Sequence, residues 1–386
     1  MTTDIITTHF DYHSIDHNLL KLDILGHDDP TMIKTLEELI NSDAMENEYD
    51  GKEHVFDARD IPLDDPDVMS LFANTSALGI TPEDIDGCPV GCLGIPEFGT
   101  DFVIQMVVDT KPKTLSDLIR ISGLSHGTDV WLNNAQTLIL EGKATISTAI
   151  CTRDDIMTYL INKGMDSELS FTIMEKVRKG KGLTPEFEKS MKEAGVPDWY
   201  IWSCKKIKYM FPRAHAAAYV MMAFRVAYFK VHLPLAFYSV YYTVRADAFD
   251  IAAAAGGAER VLKNIKALRQ KEKDKTIETK EKDLLVILEV VYEMNLRGIE
   301  LLPVDLMKSK AKRFTIEGNA IRPPFSSVAG VGENAAIGIE EAQSEGPFGS
   351  VEDFRARTKA NSAVVNALRE LGCLDGMPET NQLTLF

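Results

Sequence analysis

The sequence predicts a mainly α-helical chain with small β elements, an α+β fold, and three observations carry that reading. From about residue 69 to 245 apolar residues recur at helical spacing, broken by Gly/Pro stretches at 94–99, 123–127, 180–185 and 195–197. After Phe249 two charged amphipathic segments follow, joined by a polar stretch. "IELLPVDLMKSKAKRFTIEGNAIRPPF" then reads as short strands with a turn at Gly318–Asn319. At 386 residues the chain is long enough for two or three domains, each with its own core.

Residues 19–25, "LLKLDIL", form a short apolar run closed by a Gly-His-Asp-Asp-Pro turn, the pattern of a buried strand. Asp23 sits inside it, and an unpaired buried carboxylate costs on the order of several kcal/mol or changes its pKa, so something must compensate it. "DDPTMIKTLEELI" starts a helix with Pro30 near its first position and Met32, Ile33, Leu36 and Ile40 on one face. The stretch 43–68 is polar and acidic and reads as an exposed connection. Two compact helical stretches, 326–345 and 361–375, lead to "DGMPETNQLTLF", a tail that adds no core. There is no long internal repeat.

Composition narrows the class. With 45% hydrophobic and 26% charged residues the chain reads as an ordinary globular protein. No apolar run reaches the ~18 residues that span a bilayer, and the first residues lack a signal-peptide pattern, so a cytoplasmic protein with no membrane partner is expected. The five cysteines are too few and scattered for a disulfide framework. Cys88 and Cys92 form a C-x3-C pair with no second pair downstream, which points to reduced thiols rather than zinc.

The net charge of −16 argues against nucleic acid until its distribution is read. Residues 31–90 carry 15 Asp/Glu against 3 Lys/Arg, a net of −12, whereas residues 174–230 carry 12 Lys/Arg against 5 Asp/Glu, a net of +7. A basic patch on an acidic chain marks a site for an anion.

That patch centres on "SCKKIKYMFPRAHAAAYVMMAFRVAYFKVHLP", residues 203–234. Pro212 opens a helix and Pro234 lies beyond its end. On it His215, Tyr219 and Met222 share one stripe, and Ala214, Ala216, Ala217 and Ala218 leave room for close approach. Lys205, Lys206 and Lys208 precede the helix and can converge with Arg213 on an anion. Cations for phosphates and a flat ring for a base suit a nucleoside triphosphate. The competing reading is a solvated basic helix over a Met/Phe/Tyr core stripe. Upstream, "EKVRKGKGLTPEF" alternates Arg178, Lys179 and Lys181 with Gly180 and Gly182, a loop that lets N–H groups and cations approach phosphates, although it is no Walker A loop. "SGLSHGTDVWL" sets Ser125 and His126 between glycines. No G-x-S-x-G elbow accompanies them, and adjacent residues cannot hydrogen-bond as a catalytic triad requires, so a hydrolase is not expected. Ala329 to Gly332, an apolar–Gly–apolar–Gly string between predicted helices, is similar to a helix-hairpin-helix turn, in which Gly330 and Gly332 would present N–H groups to a DNA phosphate. "IPEFGTDFVIQMV" is a looser second version. Such turns also serve as plain connectors.

Taken together, "LLKLDILGHDDPTM", "GIPEFGT", "ISGLSHGTDVWL", "VRKGKGLTPEF", "SCKKIKYMFPRAHAAAYV" and "NQLTLF" resemble one family, the PolC-type catalytic (alpha) subunit of bacterial replicative DNA polymerase III of low-GC Gram-positive bacteria. They occur in family order over nearly the whole chain and match the C-terminal part of that longer protein. The resemblance implies the end of the palm at 1–30, helical fingers at 31–245, a clamp-binding domain with its helix-hairpin-helix at 246–380 and a clamp-binding tail at 381–386. It makes Asp23 the third of three palm aspartates around two Mg²⁺ ions, a catalytic and metal-binding residue whose charge the metal compensates. The first two aspartates sit in a P-D-I-D-x-N string that this sequence lacks. One carboxylate cannot assemble a two-metal site, so the chain alone is expected not to polymerise. The resemblance further implies deoxynucleoside triphosphates bound by Ser125, His126, Arg178, Lys205, Lys208, Arg213, His215 and Tyr219. Primer–template DNA would lie on Lys179, Lys181, Gly330 and Gly332. The sliding clamp (beta subunit) would be gripped by Gln382, Leu383, Leu385 and Phe386, and the missing N-terminal polymerase portion is a further expected partner. The alternative is a stand-alone DNA- and clamp-binding module without catalysis.

Overall fold

The computed structural model describes residues 9–15, 17–20, 27–42, 55–85, 87–245 and 248–381. Helix α1 (Tyr12–Ile15) is a single turn. Leu19 and Leu20, expected to open a buried strand, are exposed on an irregular stretch. Residues 21–26, and Asp23 with them, lie outside the described residues, as does the tail from Gln382 to Phe386. Helix α2 (Asp28–Ile40) buries Met32, Leu36 and Ile40, as its spacing predicts.

The exposed connection expected at 43–68 is corrected over its second half. Asp57 accepts the Arg59 N–H at a 3-10 turn, and Asp65 accepts the Val68 N–H at the start of α3 (Pro66–Ser70). Short carboxylates that satisfy orphan N–H groups let an acidic stretch turn back on itself. Ala58, Ile61 and Val68 thereby reach the core. The C-x3-C pair holds free thiols: Cys88 donates to Val90 O and Cys92 to Leu71 O, and burial pushes both thiols up.

Thr100 caps α4 (Asp101–Thr110), and a Thr114/Asp117 capping box opens α5 (Leu115–His126). Helix α5 runs unbroken through Gly123, where the sequence reads a break. A Cβ there would stand 2.6 Å from Thr152 Cγ2 and 2.7 Å from Cys151 O, so this glycine serves close packing rather than a turn. After a kinked turn at 131–135 come α6 (Gln136–Leu140), α7 (Arg153–Asn162), α8 (Ser167–Arg178), α9 (Pro185–Glu193) and α10 (Asp198–Lys206). Helices α7 and α8 pack on one another, and the Asp166 and Thr184 side chains cap α8 and α9.

Helix α11 (Arg213–His232) is the spine, packed against α2, α3, α5 and α12 (Pro234–Val244). Pro234, expected only to lie past α11, takes the first position of α12, where a proline's missing N–H costs nothing. From Val220 onward α11 buries Val220, Ala223, Phe224, Val226, Ala227, Phe229 and Lys230. Lys230 is wholly enclosed. Its Nζ donates to Gly91 O at 2.8 Å and Leu93 O at 2.6 Å and meets Glu293 Oε1 at 2.8 Å. Tyr238 OH donates to Glu293 Oε1 at 2.7 Å, and Arg297 donates to Lys230 O at 2.9 Å.

Beyond α13 (Ile251–Ala254), α14 (Ala258–Lys273) and α15 (Thr279–Leu296) pack as the expected helical pair. Strands β1 (Glu300–Leu301), β2 (Thr315–Glu317) and β3 (Ala320–Arg322) form a sheet in the order β1-β3-β2, with β1 parallel and β2 antiparallel to β3. Gly318 makes the expected turn at φ 59°. Helices α16 (Glu333–Gln343), α17 (Val351–Thr358) and α18 (Ser362–Glu370) complete the chain. Of these, α17 falls between the two stretches read as helical. Its Ser350 cap and buried Phe354 are its signal, diluted by four charged residues in eight. Among the described residues no helix is long and apolar enough to cross a membrane.

Candidate nucleotide and nucleic-acid interface

Three sequence-distant strings meet at one place. The turn after α5 pairs with the segment before α11, Thr128 N–H donating to Tyr209 O at 2.9 Å and Lys208 N–H to Thr128 O at 3.1 Å. The loop after α8 joins them through Met210 N–H to Arg178 O at 3.2 Å. Gly180, at φ +68°, lets that loop in: a Cβ there would stand 2.5 Å from Lys208 O. The start of α7 closes the group, with Arg153 N–H donating to Phe211 O and Arg213 N–H to Asp154 Oδ2.

The cations are not equally available. Arg178 is forked onto Glu175, Lys179 lies 3.0 Å from the same carboxylate, and Arg153 approaches it at 3.9 Å. That pairing, the Arg178 hydrogen bond first, holds the Glu175 carboxyl down at about 2. Lys205 is engaged by Glu188 at 2.6 Å, and Lys206 donates to Asn133 O and lies over the Trp202 ring. Lys181 and Lys208 are exposed with no ion pair among the described residues, and Arg213 is half-buried.

From this basic end a chain of rings runs inward. Tyr209 and Phe211 stand 5.2 Å apart, Phe211 and His215 4.9 Å, His215 and Tyr219 4.6 Å, and Tyr219 and His27 4.4 Å, with His126 beside it 5.6 Å from Phe211. Alternation along an extended segment brings Tyr209 and Phe211 to one side, and helical spacing does the same for His215 and Tyr219. Tyr219 is 8% exposed, its face covered by His27.

The inner end is acidic. Glu97 occupies a left-handed turn at φ 68°, and its Oε2 accepts from Ser122 Oγ at 3.2 Å and faces His126 Nε2 at 3.3 Å. Asp29 is buried beside it, its carboxyl pushed up by burial first and by the Glu97 charge second. Burial, then the neighbouring His126, pushes His215 down. Ser125 Oγ and His126 Nδ1 approach to 3.1 Å, but not in the way a catalytic triad requires. Both also contact Ser122 O, at 2.9 and 2.8 Å. A carbonyl accepts only, so Nδ1 carries the proton there and cannot serve as a base for Ser125. An open cleft of about 390 Å³, lined by Glu97, Thr100, Phe102, His126, Tyr241 and Arg245, adjoins this end.

Of the residues singled out in the sequence, the structure thus gathers Ser125, His126, Arg178, Lys179, Lys181, Lys208, Arg213, His215 and Tyr219, with Lys205 at the margin. His27, Asp29, Glu97, Arg153, Tyr209 and Phe211 escaped the reading. Only Tyr209 and Phe211 carried a local signal, their alternation just before Pro212. Gly330 and Gly332 lie apart, at the turn into α16. Gly330 is left-handed at φ 89°, and Gly332 is the residue before the first turn of that helix.

Comparison with known proteins fits this division. Residues 29–195 match the bacterial DNA polymerase III alpha subunit finger domain, and residues 298–383 match a helix-hairpin-helix motif. The chain is 56% identical over its whole length to the DNA polymerase III PolC-type of Caldanaerobacter subterraneus subsp. tengcongensis, of which it covers 26%. It is 55% identical to the Clostridium perfringens protein of the same name, again with 26% covered. To that of Bacillus subtilis it is 53% identical over 98% of this chain and 25% of that protein.

The chain belongs to the PolC-type DNA polymerase III family. It matches the C-terminal part of that polymerase and spans about a quarter of the length of the curated relatives. The mainly α fold with a small sheet and the helix-hairpin-helix expected from the sequence are both present. In PolC-type terms the converging strings lie within or directly after the matched fingers region, and Gly330 and Gly332 lie within the matched helix-hairpin-helix region.

Proposed function

We propose that this chain is the fingers and clamp-binding portion of a replicative DNA-directed DNA polymerase, acting in the cytoplasm with the rest of the polymerase. The observation that supports it is the convergence of three family strings on a ladder of rings with exposed cations at one end. Lys208 and Arg213 would meet the triphosphate, with Arg178 and Lys205 contributing once their carboxylates yield. His215 and Tyr219 would meet base and sugar, while Ser125 and His126 flank the pocket. A base stacked on a ring and phosphates beside cations suit a deoxynucleoside triphosphate. Lys179, Lys181, Gly330 and Gly332 would touch the primer–template backbone without reading sequence.

Asp23 would be one metal-binding carboxylate of the intact polymerase. The donors in this chain do not fit a pair of Mg²⁺ ions, each of which takes several oxygen ligands, because the P-D-I-D-x-N string is absent. Nucleotidyl transfer therefore belongs to the whole polymerase, and the isolated chain would be inactive. Gln382, Leu383, Leu385 and Phe386 would bind the sliding clamp, apolar groups filling a pocket and the amide bonding at its rim.

Two measurements test this. In the intact polymerase Lys208→Ala and Tyr219→Ala should raise the nucleotide KM, each losing about 1–3 kcal/mol, while DNA affinity holds. An unchanged KM with weaker DNA binding would move these residues to the DNA. Deleting residues 382–386 should abolish clamp binding by this chain and leave DNA binding intact. Undiminished clamp affinity would remove the tail from the scheme.

A further inference from the structure

A cluster of metal-ligating side chains lies at the start of α2. We propose that His27, Asp29 and Glu97 bind one divalent transition-metal ion, tying the start of α2 to the Pro96–Gly99 turn. One ligand atom from each of the three lies within 4.8 Å of the others. Bonds of roughly 2.0–2.2 Å to such an ion set neighbouring ligand atoms about 3–4 Å apart, so small side-chain rotations close the group. The independent sign of a ligand is Asp29 itself. It is 6% exposed, and its Oδ2 has no hydrogen-bond partner among the described residues. Buried carboxylate oxygens are nearly always satisfied, and here the next acidic group is another carboxylate. A cation between them removes both penalties.

The surroundings suit that role. Ser122 and His126 both contact Oε2 of Glu97, which fixes the direction of the carboxylate. His27 precedes the first residue of α2 without using its side chain as a cap, and its ring is exposed. One imidazole nitrogen with two carboxylate oxygens favours a first-row ion such as Mn²⁺ or Zn²⁺ over Mg²⁺, which prefers oxygen alone. The exposed trio Asp65, Asp67 and His232 has similar spacing, but its His232–Asp65 contact at 3.0 Å already pairs the group, and none of it is buried.

The test uses the full chain, stripped with EDTA and titrated with Mn²⁺ under electron paramagnetic resonance, with Zn²⁺ thermal shifts alongside. The expected result is saturation at one ion per chain and a Zn²⁺-dependent rise in melting temperature. Both should disappear in Asp29→Asn and Glu97→Gln, and His27→Ala should weaken binding more than about tenfold. Asp65→Asn and Asp23→Asn should retain the ion, the latter separating this site from the polymerase's own metals. If Asp29→Asn does not fold, Glu97→Gln and exposed His27→Ala decide alone. No saturable binding, binding unchanged in those two variants, or loss on Asp23→Asn or Asp65→Asn each overturns the proposal.

Discussion

Glu175 neutralises part of the cationic patch that the sequence advertises. Counting charges along residues 174–230 finds a strongly basic segment, yet Arg178, Lys179 and Arg153 share this one carboxylate, and Lys205 has Glu188. Spacing cannot reveal that sharing: Arg178 and Lys179 are one turn from Glu175, but Arg153 comes from another helix. His215 and Tyr219 were legible because helical periodicity alone puts them on one side. His27, Asp29 and Glu97 were not, since only the folded chain brings the start of α2 to a turn almost seventy residues later. The Glu175 pairing has a pH signature. Its carboxyl is held down at about 2, against an ordinary value near 4.3, so the stabilisation it gives is complete above the ordinary value and is lost as pH falls through the depressed one. Glu175→Gln should therefore melt below the parent at pH 7. The gap should shrink as pH drops from about 5 toward about 3, read by paired thermal melts. A pH-independent gap would mean that packing, not charge, is what Glu175 supplies.

At the scale of elements, glycine and proline were the least transparent signals. Pro212 and Pro234 bracket one helix in the sequence, and both sit at helix starts in the structure, because a fixed φ and a missing N–H suit a first turn. Gly123 predicts a break because glycine disfavours helices. It instead lies inside α5, where the backbone of Cys151 and the Thr152 methyl group leave no room for a side chain. Periodicity reports which face of a helix is apolar, and it is silent on how closely a neighbour approaches. In a free helix Gly→Ala stabilises by roughly 0.5–1 kcal/mol. At Gly123 the sign should reverse, costing about 1–3 kcal/mol as α5 and the α7 start are forced apart. Urea denaturation of Gly123→Ala measures this, and a midpoint at or above the parent's would show that the neighbouring chain yields freely. The same displacement would reach Phe211, which Arg153 N–H holds, so nucleotide affinity should fall with stability.

For the whole molecule, one buried ion pair joins regions that the sequence reads as separate domains. A boundary near residue 245 followed from the change in texture after Phe249, yet apolar packing continues across it, from α11 and α12 into α15 and the strands. At its centre Lys230 of α11 meets Glu293 of α15 with both side chains inaccessible to solvent. Burial pushes the Lys230 ammonium down, toward neutrality, while Glu293 pulls it back up. Gly91 O, Leu93 O and Tyr238 OH complete the hydrogen bonding. A lysine in the middle of an apolar helix stripe gives no sequence hint of its partner 63 residues away. Removing one member strands the other's charge, so Lys230→Met or Glu293→Gln should each cost about 3–5 kcal/mol. The double replacement Lys230→Met/Glu293→Met removes both charges, and it should cost clearly less than the two single changes added together, because neither partner is left unpaired. If the pair instead acts as two independent packing residues, the double variant will lose the sum. Measuring all four proteins by denaturant unfolding with probes in α11 and in α18 gives a second reading. Coincident transitions in the parent that separate in the single variants would show that this contact is what makes the fingers and the helix-hairpin-helix region unfold together.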